Sequence, residues 1–445
     1  MAIEFLLERF DQSKDAEALI WRDRSLLYGE LRELVKFWQE SLEQQMIPKG
    51  AVVALEADFS PNAVALLLSL LQRNCVVALL TAEMKTSRAE LRQIAEVEWI
   101  VKIDAEDDVK IEQTGTQATH QLLCQLRDRQ HPGLIIFSSG STGKSKAAIH
   151  DFVLIQEKFQ TLRPAQRTLL FLLFDHIGGI NTLLHVLANG GCAVIPLDRS
   201  PETVAAAIAK HRVQLLPTSP TFLTLLLLSG VHQQYDLSSL EIVTYGTEVM
   251  PQSVLNSLNQ LFPHIRFHQT YGLTELGIMR SKSRSSDSLW FKLGGEGYET
   301  RIVNGMLEIK AKSAMLGYLN ASAPFTLDGW YMTGDVVEVD GEWLRILGRK
   351  SELINVGGQK VYPAEVESVV QAMEGVLEVS VKGEANSITG NIVTAKIRLA
   401  TDESLRDFRT RLRAFCLDKL ESYKIPLRVT LVEERLHSDR FKKTR

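Results

Sequence analysis

Short apolar runs alternate with longer amphipathic or Ala/Leu-rich segments along the first 260 residues, and this rhythm limits the possible folds more than any other feature. Residues 52–57, 75–80, 134–137, 168–174, 192–197, 213–216 and 241–245 read as strands. Between several of them, 62–73, 180–188, 201–210 and 251–261 read as helices. Pro201 and Pro251 would stand near the first helical position, where a missing N–H costs nothing. Strand–helix alternation of this kind argues for α/β layering with mainly parallel sheets. The stretch 104–132 is polar and weakly patterned, a connector with room for one helix.

After residue 265 the texture changes. Residues 302–310, 332–339 and 342–347 alternate apolar with polar, and Asn304-Gly305 and Asp340-Gly341 mark hairpin turns between them. The last hundred residues combine strand-like 377–382 and 392–400 with helical 363–373 and 405–420. The expected organisation is a large N-terminal domain over 1–347, with a β-rich subdomain at about 265–347, followed by a small mobile α+β C-terminal domain over 348–445.

Composition excludes more than it selects. At 445 residues and 45% apolar content the chain can build two to four well-cored units, so extensive disorder is out. Fifty basic against 54 acidic residues leave no bulk field for nucleic acid or anionic lipid. Cys75, Cys124, Cys192 and Cys416 are far apart and form no metal or disulfide pattern, which fits a reducing compartment. The first residues are acidic and interrupted, unlike a signal peptide, and the greasiest stretch, 63–80, is broken by Gln72-Arg73-Asn74. No membrane span and a cytoplasmic location are expected.

The sharpest local motif is Ile135-Ile-Phe-Ser-Ser-Gly-Ser-Thr-Gly-Lys-Ser-Lys146, an apolar strand running into a hydroxyl- and glycine-rich loop with two lysines. Glycines let backbone N–H groups approach an anion, hydroxyls donate further bonds, and lysine adds charge. Phosphate binding therefore outweighs a plain surface loop. A Walker A loop would need glycine at position 138, where Ser138 stands, so a P-loop NTPase is a minor alternative. Three further clusters follow: Gln269-Thr-Tyr-Gly-Leu-Thr-Glu275, Gly329-Trp-Tyr-Met-Thr-Gly-Asp335, and 348–367, which begins Gly-Arg-Lys-Ser-Glu and contains Gly357-Gly358.

In this order the four clusters resemble the core motifs of the adenylate-forming superfamily: acyl-CoA synthetases, peptide-synthetase adenylation domains and luciferases. The resemblance runs from about residue 134 to the C-terminus, and 305–318 is similar to a further motif of that family. It implies a two-step reaction. A carboxylate and ATP give acyl-AMP and pyrophosphate; a thiol then takes the acyl group and releases AMP.

Residue by residue, the resemblance implies that Ser138, Ser139, Gly140, Ser141, Thr142, Gly143, Lys144 and Lys146 surround the β- and γ-phosphates. Gly246, Thr247 and Glu248 fall at the adenine edge, Tyr271 matches the adenine-stacking ring, and Thr274 the hydroxyl on the α-phosphate. Glu275 matches the magnesium-holding carboxylate, Asp335 the acceptor of both ribose hydroxyls, and Arg349 an arginine that also nears the ribose. The closing motif puts Lys443 at the catalytic lysine and leaves Lys442, its near competitor, where the family has glycine. Gly357 and Gly358 belong to the segment that meets the thiol arm after domain rotation, and Ser351 aligns with a hinge position that usually holds Asp or Lys.

The acyl site should include Phe174-Asp-His-Ile-Gly-Gly-Ile-Asn181, where two registers compete. In one, His176 orients the carboxylate, as in CoA ligases; in the other, Asp175 pairs with the α-ammonium of an amino acid. The Ile177-Gly178-Gly179 run favours the first register and an unaminated acid, with fatty-acid activation as the expected metabolic setting. Expected ligands are ATP, Mg2+, a small carboxylic acid and CoA, with a separate acyl-carrier protein as the alternative acceptor. The flanks of Lys146 depart from the family pattern and the N-terminal half is short, which keeps a non-catalytic nucleotide-binding protein as a third reading.

Overall fold

The structure, a computed structural model, describes residues 3–82, 84, 86–139, 144–438 and 440–444. Two seven-stranded sheets form the large N-terminal region. The first runs Arg266–Gln269, Ile242–Tyr245, Leu215–Thr218, Arg167–Leu169, Cys192–Ile195, Glu17–Trp21 and Arg24–Leu27, parallel except for the last pair. The second runs Gly317–Tyr318, Ser145–Asp151, Gly133–Ser139, Val76–Leu80, Val52–Glu56, Trp99–Ile103 and Val109–Gln113, with its central four strands parallel.

Helices Pro61–Gln72 and Ile177–Ala188 lie between the two sheets in one shared core. This explains the greasy stretch 63–80. Ser60 caps the first helix by accepting from the Ala63 N–H at 3.1 Å, and residues 63–71 are all buried. Asn74, at φ 59°, then reverses the chain into the buried strand Val76–Leu80. Each leucine sequestered there contributes roughly 1.5–3 kcal/mol of transfer free energy. No helix among the described residues is long and apolar enough to cross a membrane. Helices Pro201–His211, Pro220–Ser229 and Gln252–Leu261 cover the outer face of the first sheet, and Arg88–Ile94 and Gln121–Arg129 that of the second.

A six-stranded antiparallel sheet follows. Its Tyr298–Val303 and Met306–Ala311 strands join through Asn304 and Gly305 at φ 51° and 76°, the paired left-handed residues of a tight hairpin. The chain leaves this sheet at Arg349, crosses a 3-10 turn, Lys350–Glu352, that contains Ser351, and enters the five-stranded C-terminal sheet at Ile354. Helices Pro363–Gln371 and Leu405–Cys416 pack on that sheet through Val366, Val370, Phe408 and Leu412.

The α/β class with a β-rich subdomain and an α+β C-terminal unit is therefore as expected, while two local readings change. The stretch 168–174 keeps strand structure only to Leu169; beyond it the chain turns toward the helix at Ile177, and the Leu173 carbonyl presses against Gly179. The supposed connector 104–132 contains an edge strand, Val109–Gln113, beside the helix Gln121–Arg129. An edge strand with no fully buried side chain carries too little apolar signal to stand out.

Candidate active site

Two adjoining cavities open where the first sheet, the β-rich sheet and the C-terminal tail meet. Register across the hairpin Tyr331–Asp340/Trp343–Arg349 sets Asp335 opposite Arg349, whose Nε lies 3.4 Å from Asp335 Oδ1. The Tyr271 hydroxyl donates to Asp335 Oδ2 at 2.5 Å, and its buried ring lies beside Phe291. Burial raises the Asp335 carboxyl, against the lowering effect of Arg349 and Tyr271. These three residues, with Thr247 and Glu248, line the first cavity.

Close backbone packing shapes its edge. A Cβ on Gly246 would sit 2.7 Å from Thr270 Oγ1 and 2.9 Å from the Thr270 carbonyl oxygen, so only glycine fits there. Thr247 follows in a left-handed conformation at φ 71°. Glu248 is held at both oxygens, accepting from Thr221 Oγ1 at 2.6 Å and from the Lys443 N–H at 2.5 Å.

The second cavity contains Ser138, His176, Thr274 and Glu275. Ser138 pairs with Lys146 across the hairpin Gly133–Ser139/Ser145–Asp151. Lys146 Nζ lies 5.2 Å from the centre of the Tyr318 ring, and the Tyr318 hydroxyl donates to Glu275, so these three residues form one group. His150 Nε2 lies 2.7 Å from the Thr274 carbonyl oxygen.

His176 caps the helix Ile177–Ala188: its Nδ1 accepts from the Gly178 N–H at 3.0 Å. Burial, with Lys442 and Arg440 adding to it, drives its pKa well below the ordinary histidine value. The ring is therefore neutral, and with Nδ1 accepting, the proton sits on Nε2, ready to donate. Asp175 is engaged elsewhere, by Thr81 Oγ1 at 2.8 Å and by Arg440 of the C-terminal tail. That pairing disfavours its use as an α-ammonium anchor.

The two closing lysines differ in their surroundings. Lys442 lines both cavities, and burial lowers its pKa while Glu248 opposes the shift. Lys443 also borders the first cavity, yet its ammonium is held 3.2 Å from Glu367 of the C-terminal unit. Gly357 and Gly358 occupy an exposed hairpin turn at φ 57° and 86°, away from both cavities, and Lys144 is exposed and borders neither. The expectations for Gly140, Ser141, Thr142, Gly143 and the Ser139 side chain fall outside the described residues.

Sequence comparison decides the family. The profile of the AMP-binding enzyme family matches residues 6–294, and that of the AMP-binding enzyme C-terminal domain matches 365–443. This chain belongs to the AMP-binding enzymes. Among its relatives is the 2-succinylbenzoate–CoA ligase of Enterococcus faecalis, 25% identical over 96% of this chain and 93% of that protein. Another, the indoleacetate–CoA ligase of Aromatoleum aromaticum, is 27% identical over 68% of this chain and 64% of that protein. The fold matches an anthranilate–CoA ligase bound to anthranoyl-AMP, with a TM-score of 0.84, 19% identity and 99% and 95% of the two chains covered. It also matches the o-succinylbenzoate–CoA synthetase of Bacillus subtilis bound to its acyl-adenylate, with a TM-score of 0.78, 21% identity and 98% and 96% coverage.

This chain is thus an AMP-binding enzyme whose relatives are named as CoA ligases, and both of these solved neighbours hold an acyl-adenylate. The acids in those relatives' names are aromatic, so the fatty-acid setting expected from the motifs finds no support among them.

Proposed function

We propose that this chain activates a carboxylic acid with ATP and passes the acyl group to CoA, with Lys442 as the lysine that promotes adenylation. The observation that carries this reading is the position of Lys442 on both cavities, between Asp335, Arg349 and Tyr271 on one side and His176 and Thr274 on the other. A glycine before the family lysine suits a left-handed backbone. Here Phe441, at φ 51°, takes that conformation, and the next residue is Lys442.

In the first half-reaction the ribose hydroxyls donate to Asp335, whose other partners, Tyr271 and Arg349, fix its orientation. The His176 Nε2–H donates to the acid and aims its free oxygen at the α-phosphate. As that oxygen attacks in line with departing pyrophosphate, negative charge spreads over the phosphoryl oxygens. The Thr274 hydroxyl and the Lys442 ammonium stabilise it in a partly dry site, where preorganised charge counts most. Burial has already weakened the hydration of Lys442.

The donors of the second cavity, the Glu275 carboxylate with the hydroxyls of Ser138 and Thr274, fit Mg2+, a hard cation that takes few protein oxygens together with phosphates. Magnesium bound there would neutralise phosphate charge. In the second half-reaction the CoA thiolate attacks the acyl carbon and AMP departs. Ser351, in the exposed turn between the two domains, is the hinge for the rotation that would bring Gly357 and Gly358 to the thiol arm. A cytoplasmic setting, where ATP and CoA are available, goes with this reading.

Acid-dependent exchange of pyrophosphate into ATP, measured over aryl, fatty and amino acids, tests the first step. Thioester formation, assayed with CoA and with acyl-carrier protein, tests the acceptor. No exchange with any acid would overturn the proposal in favour of a nucleotide-binding protein, and transfer to carrier protein alone would overturn the choice of CoA.

A further inference from the structure

Beyond His176 the acyl cavity continues into a third, of about 380 Å³, with which it shares Leu172, Gly178, Pro217 and Ile278 as walls. This far chamber has an unusual charge balance. Lys158, Arg163 and Arg280 line it together with His185 and His268, and among the described residues no aspartate or glutamate does.

Lys158 is the deepest of the cations. Its ammonium donates to Asn181 Oδ1 at 2.5 Å and to the Ile278 carbonyl oxygen at 2.7 Å, both neutral acceptors. Burial, then Arg280 and Arg163, pushes its pKa down to about 7. Burial first, then Arg163 and Lys158, pushes His185 down to about 4, so that ring is neutral. A buried ammonium without a counter-charge is costly unless an anion joins it. The remaining walls, Phe159, Leu172, Ile278 and Met279, suit an apolar or aromatic body between the two ends of the chamber.

We infer that the acid is a dicarboxylate: one carboxylate is activated beside His176 and Lys442, and the second is bound unreacted by Lys158, with Arg163 and Arg280 beside it. This rests on the acid–CoA ligase reading and adds the class of acid. Lys158 selects the substrate through a charge-assisted hydrogen bond that a monocarboxylate cannot make. The same bond fixes which of the two carboxylates reaches ATP.

The test compares 2-succinylbenzoate with 4-oxo-4-phenylbutanoate, the same skeleton without the ring carboxylate, in pyrophosphate exchange. The wild-type enzyme should prefer the diacid by about 100-fold or more in kcat/KM, since a site built for a polar group rejects the analogue that lacks it. Lys158→Met should lower diacid kcat/KM by about 30-fold or more, mainly through KM, and leave the monoacid unchanged or improved. Lys158→Arg should restore part of the diacid preference. Arg163→Gln and Arg280→Gln, at exposed positions, should each weaken diacid binding by a few-fold while thermal melting stays the same.

Equal use of both acids by the wild type would overturn the inference while leaving the ligase reading intact. So would an equal loss with both acids in a folded Lys158→Met protein. No exchange with either acid, or with any other, would instead count against the ligase reading itself.

Discussion

Arg440, in the C-terminal tail, forms an ion pair with Asp175, a carboxylate buried in the N-terminal region one residue before His176. Around this pair the Phe441 carbonyl accepts from Ser219 Oγ at 2.8 Å, and the Phe441 ring packs 5.3 Å from Phe171 and 5.6 Å from Phe222. With the Lys443 N–H bound to Glu248 on the far side, the tail is pinned on both sides of Lys442. Arg440→Met should slow adenylation by about 10–100-fold, the scale of a small misplacement of a catalytic group. Thioester formation from supplied acyl-AMP should be unaffected. Equal loss in both half-reactions would show that the pair serves stability alone.

The two adjacent lysines should separate cleanly. Lys442→Ala is expected to lower adenylation by about 10²–10³-fold, as does loss of one preorganised donor in other enzymes. Lys443→Ala, which removes the ion pair with Glu367, should change it by a few-fold. Single-turnover formation of acyl-AMP is the measurement. The reverse order would return the role to Lys443.

Stability should fall with mild acid because of buried histidine. Burial keeps the folded-state pKa of His150 below 6.5. The folded ring therefore stays neutral while the unfolded chain takes up a proton as pH drops below about 6.5. Stability from this group is complete above that pH and is lost as pH falls toward its folded pKa, at up to about 1.4 kcal/mol per pH unit. Urea unfolding of wild type and His150→Gln at pH 6.5 and 5.5 checks this. The wild type should lose more over that interval, and parallel losses would refute the assignment.

Gly179 tests how tightly the core helix abuts the acyl site. A Cβ there would lie 2.0 Å from the Leu173 carbonyl oxygen, and backbone cannot yield as a flexible side chain can. Gly179→Ala should cost about 3 kcal/mol or more, or prevent folding, as severe overpacking does. Thermal melting gives the answer. A variant that melts with wild type would mean that the Leu173 loop relocates freely.

Much of this molecule was legible because local pattern and global position agree. Val52–Glu56 and Val76–Leu80 are parallel strands buried along their whole length, and buried strands read as continuous apolar runs. Hairpins at Asn304-Gly305 and Asp340-Gly341 announced themselves through turn chemistry. Asp335, Arg349 and Tyr271 come from three separate motifs, and only the register of one hairpin and one tyrosine hydroxyl brings them together.

What sequence could not supply was direction. Lys442 and Lys443 are chemically identical neighbours, and only the folded chain shows that Lys442 lines both cavities whereas Lys443 borders the first alone. Lys158 lies outside every motif, and nothing in its neighbours reveals that it is buried. It follows Gln156 and Glu157 at the end of the apolar run Phe152–Ile155, where a lysine reads as an ordinary surface residue.

The helix Ile177–Ala188 is packed between the two large sheets, yet its first residues form the wall of the acyl cavity. Selectivity in this enzyme is therefore not confined to a peripheral loop that can drift at little cost. A change at Leu183 or Leu187, far from any ligand, would tilt the rod that carries His176 at its tip. Shifts in substrate preference should thus arise from deep interior replacements as readily as from those lining the cavity, coupling the evolution of specificity to that of the core.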